Sequence, residues 1–130
     1  MTQGQIEESN AATVAAYLSS IIKYMHKNGI ILRNFRSETL VFEGLESWDI
    51  KLMDLSLAIE KWQYRENSMD GLFDNYAKLQ PLYRAPELFA AKKKYDEAVD
   101  MWSMGCLIFN MVTGVPPFYE SDEAALRSSI

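Results

Sequence analysis

The chain has 130 residues and a mass of 14.9 kDa, the size of one average domain, so one hydrophobic core is expected. Hydrophobic residues make up 48% and charged residues 24%, a globular balance that excludes general disorder. A formal charge of -5 and a pI of about 4.9 argue against nucleic acid or an anionic membrane as the main partner. The single cysteine, Cys106, allows no intrachain disulfide, and with only one histidine in the composition a zinc site is not expected. The polar, acidic start resembles neither a signal peptide nor a transit peptide, and no apolar run reaches membrane-spanning length. The expectation is a soluble, cytoplasmic protein.

In chain order, residues 1–9 read as a flexible lead-in, and Ser9 or Asn10 is placed to cap a helix running to about Lys27. Along it Val14, Leu18, Ile21 and Met25 recur at helical steps and form one apolar stripe. Gly29 stands where a left-handed residue would end the helix. Three short β-prone pieces follow, Ile30 to Leu32, Leu40 to Phe42 and Ile50 to Met53, with Gly44 to Asp49 as a hairpin-like turn between the last two. From about Ser56 to Leu82 the pattern dissolves into a polar and aromatic mixture with no sustained period, a length that points to a functional or mobile segment. Lys92, Lys93 and Lys94 read as a solvated loop. Asp96 offers a cap for a helix from Ala98 to Val112, apolar on nearly every face and therefore predicted to be buried. Gly114 ends it, Pro116 and Pro117 turn the chain, and Ser121 is placed to cap a last amphipathic turn or two. The predicted fold class is mainly α (α+β), helical with a few short strands.

Four segments, in order, resemble the C-terminal lobe of a protein kinase. Gly29 to Leu40, with Leu32-Arg33-Asn34-Phe35-Arg36 at its centre, follows the helix where that family places its catalytic loop, H-R-D-L-x-x-x-N. Ile50 to Ser56 falls where a strand leads into D-F-G, with Asp54 at the aspartate position. Pro81 to Glu87, through Tyr83 and Ala85-Pro86-Glu87, matches the substrate-side loop that closes in A-P-E. Asp100 to Gly105 matches the start of the family's central helix, and Thr113 to Phe118 its following turn. Ala85-Pro86-Glu87 alone would be an ordinary helix start; four segments with this order and spacing are far more specific. The stretch from Lys94 to Phe118 is most similar to the calcium/calmodulin-dependent and calcium-dependent Ser/Thr kinase branch. The resemblance implies that residues 10–130 are a partial kinase domain, a C-terminal lobe without its N-terminal lobe and last helices, about half of a domain of ordinary size.

Asp100 is a carboxylate in an otherwise apolar helix, and such a group needs strong donors. The resemblance makes it an anchor for the backbone of the catalytic loop, expected at Arg33 and Asn34, with Tyr83 and Glu87 structural and His26 a structural helix-end residue. The same resemblance shows where chemistry has been removed. Asn34 occupies the place of the catalytic Asp, and losing general-base help costs about 10²–10⁴ in rate. Thr39 replaces the Asn that holds the second Mg²⁺, Arg36 replaces the Lys near the transferred phosphate, and Asp54 alone keeps its metal carboxylate. Leu55 and Ser56 take the place of Phe-Gly. The six glycines, at 4, 29, 44, 71, 105 and 114, cannot write G-x-G-x-x-G. Arg33 is a candidate regulatory residue, since in kinases controlled by activation-loop phosphorylation it meets the phosphate. Tyr64, Ser68 and Tyr76 are the candidate acceptors, and Glu66, Asp70 or Asp74 could supply a constant negative partner instead, a plain salt bridge being the favoured reading.

Two functions follow from the resemblance. One is an inactive, pseudokinase-like fragment acting in binding or scaffolding, with no cofactor for this chain although the family uses Mg-ATP. The other is part of a divergent ATP-dependent Ser/Thr kinase of the calcium-dependent type. Protein partners are expected, including a homodimer or swapped assembly, and neither nucleic acid nor membrane.

Overall fold

The computed structural model describes residues 6–44, 47–61, 81–89 and 96–130. Helix α1 (Glu8–Lys27) buries Ala11, Val14, Leu18 and Ile22, with Ile21 and Met25 half-buried along the same face. It starts earlier than the capping residues suggest: Glu7 precedes it in extended backbone, no side chain caps it, and Ser9 and Asn10 lie in its first turn. The Ile6 N–H donates to the Met111 carbonyl at 3.0 Å, which ties the chain down just before the helix. Gly29, at φ 74°, ends α1 in the left-handed conformation that glycine adopts without steric cost.

Two antiparallel strand pairs follow. In the first, β1 (Ile30–Ile31) lies beside β4 (Ile59–Glu60), with Ile30 opposite Glu60 and Ile31 opposite Ile59. In the second, β2 (Leu40–Phe42) pairs with β3 (Ile50–Leu52), Leu40 opposite Leu52 and Phe42 opposite Ile50. Phe42 and Trp48 meet edge to face at 5.6 Å across this hairpin. Strand β4 falls inside the stretch that shows no periodicity in the sequence. It has two residues and a partner far upstream, so no local pattern could announce it.

Helix α2 (Ala98–Thr113) is entered through Asp96, whose carboxylate accepts the Ala98 N–H at 2.8 Å, and left through Gly114 at φ 78°. Its burial is one-sided, unlike the expectation from its composition. Val99, Asp100, Ser103, Cys106 and Leu107 face inward, while Met101, Phe109 and Val112 are 49%, 45% and 38% exposed. Helix α3 (Glu123–Ser129) is capped by Asp122, which accepts the Ala125 N–H at 2.8 Å, and not by Ser121. Its Leu126 is buried.

The main core joins Val14, Leu18 and Ile22 of α1 to Cys106 and Leu107 of α2, with Leu32, Phe35, Ile50 and Tyr83 inserted. A second cluster gathers Ile31, Ile59, Ala85, Leu88 and Val99, and Trp102 packs against both. Full burial of Leu18 or Leu107 contributes about 1.5–3 kcal/mol each. The described part is thus mostly helical with small antiparallel sheets, consistent with a partial kinase domain. Among the described residues no helix is long and apolar enough to cross a membrane.

Candidate functional site

The loop between β1 and β2 is fixed at its start by alternation of side chains. Leu32 and Phe35 drop into the main core, and Arg33 and Asn34 between them are left to polar partners. Arg33 has φ 60°, a left-handed conformation that costs a side-chain-bearing residue about 1–2 kcal/mol. Hydrogen bonds on both sides hold it there. The Leu32 and Arg33 N–H groups donate to the two carboxylate oxygens of Asp100, at 2.9 and 2.7 Å. His26 Nε2 lies 2.7 Å from Asp100 Oδ2, so the end of α1 is tied to the same carboxylate. On the outer side, Arg33 Nε donates to the Leu57 carbonyl at 2.7 Å. The pair anchored by Asp100 is therefore Leu32 and Arg33, one residue earlier than the expected Arg33 and Asn34. The acidic and hydroxyl-bearing residues proposed as partners of Arg33, from Tyr64 to Tyr76, lie outside the described residues, as does Lys92 to Lys94.

Next along the loop, Asn34, Arg36 and Thr39 converge with Asp54, which follows β3. The β2–β3 ladder is extended by the Met53 N–H donating to the Thr39 carbonyl at 2.9 Å, and this places Asp54 against the loop. Asn34 Nδ2 donates to Asp54 Oδ2 at 3.0 Å, and Arg36 Nη2 stands 3.8 Å from the same oxygen. The Ser56 N–H donates to Oδ1 at 2.9 Å. Hydrogen bonding by Ser56, through side chain and backbone, holds the Asp54 carboxyl below its ordinary value, and Arg36 and Asn34 act in the same direction. Thr39 is almost fully buried, and its hydroxyl lies 2.8 Å from the Arg36 carbonyl and 3.3 Å from that of Asn34. It stitches the backbone of the loop and is not presented toward Asp54.

Tyr83 stands apart from this group. Its carbonyl accepts the Ser103 hydroxyl at 2.7 Å and its phenol oxygen accepts from Asn110 Nδ2 at 3.0 Å, so it docks the Pro81–Tyr83 turn on α2. Glu87, half-buried in the Pro86–Phe89 turn, has no ion pair among the described residues. Sequence reasoning read Ser56 only as a replacement in the Phe-Gly position and passed over its bond to Asp54, and it passed over Leu57. Ser56 was legible in principle, because an Asp followed two residues later by an N–H is the pattern of an Asx turn. Leu57 acts through its carbonyl, which no side-chain pattern encodes.

The whole chain, residues 1–130, matches the protein kinase domain family. It is 30% identical over 132 residues to calcium-dependent protein kinase 24 of Arabidopsis thaliana, covering 100% of this chain and 21% of that protein. It is 31% identical to serine/threonine-protein kinase 36 of Mus musculus, over 98% of this chain and 9% of that protein. Tribbles homolog 3 of Mus musculus is 32% identical, over 96% of this chain and 34% of that protein. The chain spans at most about a third of the length of these relatives. Motif order, core and family match agree, and this chain belongs to the protein kinase family.

Proposed function

We propose that the chain is a C-terminal-lobe segment of a kinase-like domain that transfers no phosphate and serves in binding or scaffolding. The observation that carries this reading is the Asn34 amide, which sits at the position of the family's base and donates to Asp54 at 3.0 Å. An amide in that role accepts no hydroxyl proton. The Mg²⁺ of the family's Mg-ATP does not fit the donors present. Among the described residues Asp54 has no second carboxylate beside it and is already hydrogen-bonded within the chain, Asn34 turns donor hydrogens toward it, and the Thr39 hydroxyl is engaged with backbone. No cofactor is therefore assigned to this chain, and a cytoplasmic location is part of the same reading. Protein partners, including a second copy or a swapped assembly, are supported by the apolar row of Met101, Phe109 and Val112 on α2.

A phosphotransfer assay with Mg-ATP and a peptide tests the reading. Background counts, unchanged in Asp54→Ala, are expected; activity above background that Asp54→Ala abolishes would overturn it. Light scattering at low micromolar concentration tests the partner reading, and a strict monomer there would overturn self-association. The second reading, a divergent ATP-dependent Ser/Thr kinase, is favoured by the full-length coverage of the chain by calcium-dependent protein kinase 24 and by the survival of Asp54 and Arg36. Activity in the same assay would support it.

A further inference from the structure

The Asp54 carboxylate is met on both oxygens from within the chain. Ser56 N–H reaches Oδ1 at 2.9 Å, Asn34 Nδ2 reaches Oδ2 at 3.0 Å, and the Arg36 guanidinium stands 3.8 Å from that second oxygen. A carboxylate only accepts, so Asn34 must present its NH₂ group there and carry its oxygen elsewhere. An aspartate at position 34 in the same geometry would set two carboxylates side by side at that 3.0 Å spacing. Like charges so close require a proton or a cation between them. The amide removes that requirement and the guanidinium provides the positive charge. Among the described residues, no group of three or more His, Cys, Asp or Glu side chains is arranged to hold a metal ion.

We propose that Asn34, Ser56 and Arg36 form a clasp on Asp54 that stands in for a divalent cation, and that Asn34 is the residue that makes the site indifferent to such ions. The clasp ties the loop before β2 to the turn after β3, segments that a bound metal would otherwise have to bridge. This rests on reading Asp54 as the family's metal position, and it goes beyond loss of phosphotransfer. The ion is replaced by charge and hydrogen bonds inside the chain.

The full 130-residue chain is used for the test, with Mn²⁺ as probe, by paramagnetic resonance titration and by thermal unfolding. Wild type is expected to show no saturable Mn²⁺ binding, and the same Tm in MnCl₂ or MgCl₂ as in KCl of equal ionic strength. Asn34→Asp is expected to gain saturable Mn²⁺ binding, because carboxylate count sets affinity for hard cations. Its Tm should rise by about 4 °C or more on adding the ion. The exchanged pair, Asn34→Asp with Asp54→Asn, keeps one amide and one carboxylate and should again ignore the ion. Saturable Mn²⁺ binding by wild type that Asp54→Asn abolishes would overturn the clasp, and would leave the reading of an inactive kinase standing if phosphotransfer stayed absent. Asn34→Asp as indifferent as wild type would also overturn it. If Asn34→Asp unfolds without the ion, rescue by Mn²⁺ is the supporting result. Failure of rescue, with the exchanged pair folded, is a refutation.

Discussion

Asp100 and Asp54 both accept hydrogen bonds from the loop that runs from Leu32 to Arg36, one from within α2 and one from the turn after β3. Among the described residues each has three polar partners. Asp100 is 0% exposed and all three of its partners lie between 2.7 and 2.9 Å. The Asp54 side chain is 35% exposed, and its positive partner among the described residues is 3.8 Å away. The count of partners is therefore a poor guide to what each carboxylate contributes. A donor shut away from water has no substitute when its acceptor is removed, whereas a donor at the surface turns to solvent. One aspartate builds the loop, and the other trims it.

The sharpest way to break this comparison is Asp100→Ala. It leaves the Leu32 and Arg33 N–H groups without acceptors, at about 1–3 kcal/mol for each buried group. A loss of at least about 2 kcal/mol is expected in urea unfolding, a large share of a small domain's stability. Asp100→Asn, which keeps an acceptor oxygen, should fall between the two. Stability within experimental error of wild type for Asp100→Ala would remove the distinction between the two sites.

A smaller effect is expected at Arg33, whose φ of 60° is the backbone expression of the same anchor. Both Arg33→Gly and Arg33→Ala remove the bond to the Leu57 carbonyl, so their difference isolates the backbone. Alanine retains the left-handed penalty of about 1–2 kcal/mol, and glycine adds about 0.5–1 kcal/mol of chain entropy. Glycine should be the more stable variant by up to about 1.5 kcal/mol, the reverse of the usual order. The usual order, with alanine ahead, would mean that the anchor does not hold position 33 left-handed in solution.

Asp54→Ala tests the other half of the comparison. The exposed Ser56 and half-buried Arg36 can turn to water while the Asn34 amide is buried, so a change of about 1 kcal/mol, smaller than that of Asp100→Ala, is expected in urea unfolding. A cost equal to that of Asp100→Ala would show that exposure does not separate the two carboxylates.

How much of this was legible beforehand follows from the range of the forces involved. The α1 stripe, the two helix-ending glycines and the β2–β3 hairpin depend on neighbours a few residues away, and the sequence states them. Asp100 was legible as an anchor because a lone carboxylate in an apolar helix must find donors, but which N–H groups it finds depends on where the loop enters. That entry is set by Leu32 and Phe35 in the core, and it moves the contact by one residue. The uncapped start of α1 after Glu7 and the Asp122 cap of α3 differ from the expected Ser9 or Asn10 and Ser121 for a related reason. Several capping residues stand close together, and tertiary tethers such as Ile6 to Met111 choose among them. The outward face of α2 is a case where composition misleads, since apolarity on every side does not say which side is covered. The Asn34 substitution was visible as a lost base, while its gain, a donor onto Asp54, needs the geometry of the β2–β3 ladder.

A third carboxylate calibrates the weak end of the scale. Glu97, one residue before α2, pairs with Lys61, just after β4, and both side chains are more than a third exposed. Lys61 is the main reason that the Glu97 carboxyl titrates below its ordinary value of 4.5, with burial opposing the shift. Because the folded value is the lower one, the folded chain holds fewer protons than the unfolded chain between the two values. The pair's contribution is therefore complete above about pH 4.5 and fades as pH falls through the lower, folded value. Solvent screening keeps such an exposed pair at or below about 1 kcal/mol, and salt reduces it further. Glu97→Gln should flatten the acid limb of a stability-against-pH curve slightly at low salt and leave it unchanged at high salt. A loss as large as that of Asp100→Ala, persisting in high salt, would mean that the junction of β4 with α2 is held by a desolvated pair, and that exposure is the wrong variable for ranking the carboxylates of this domain.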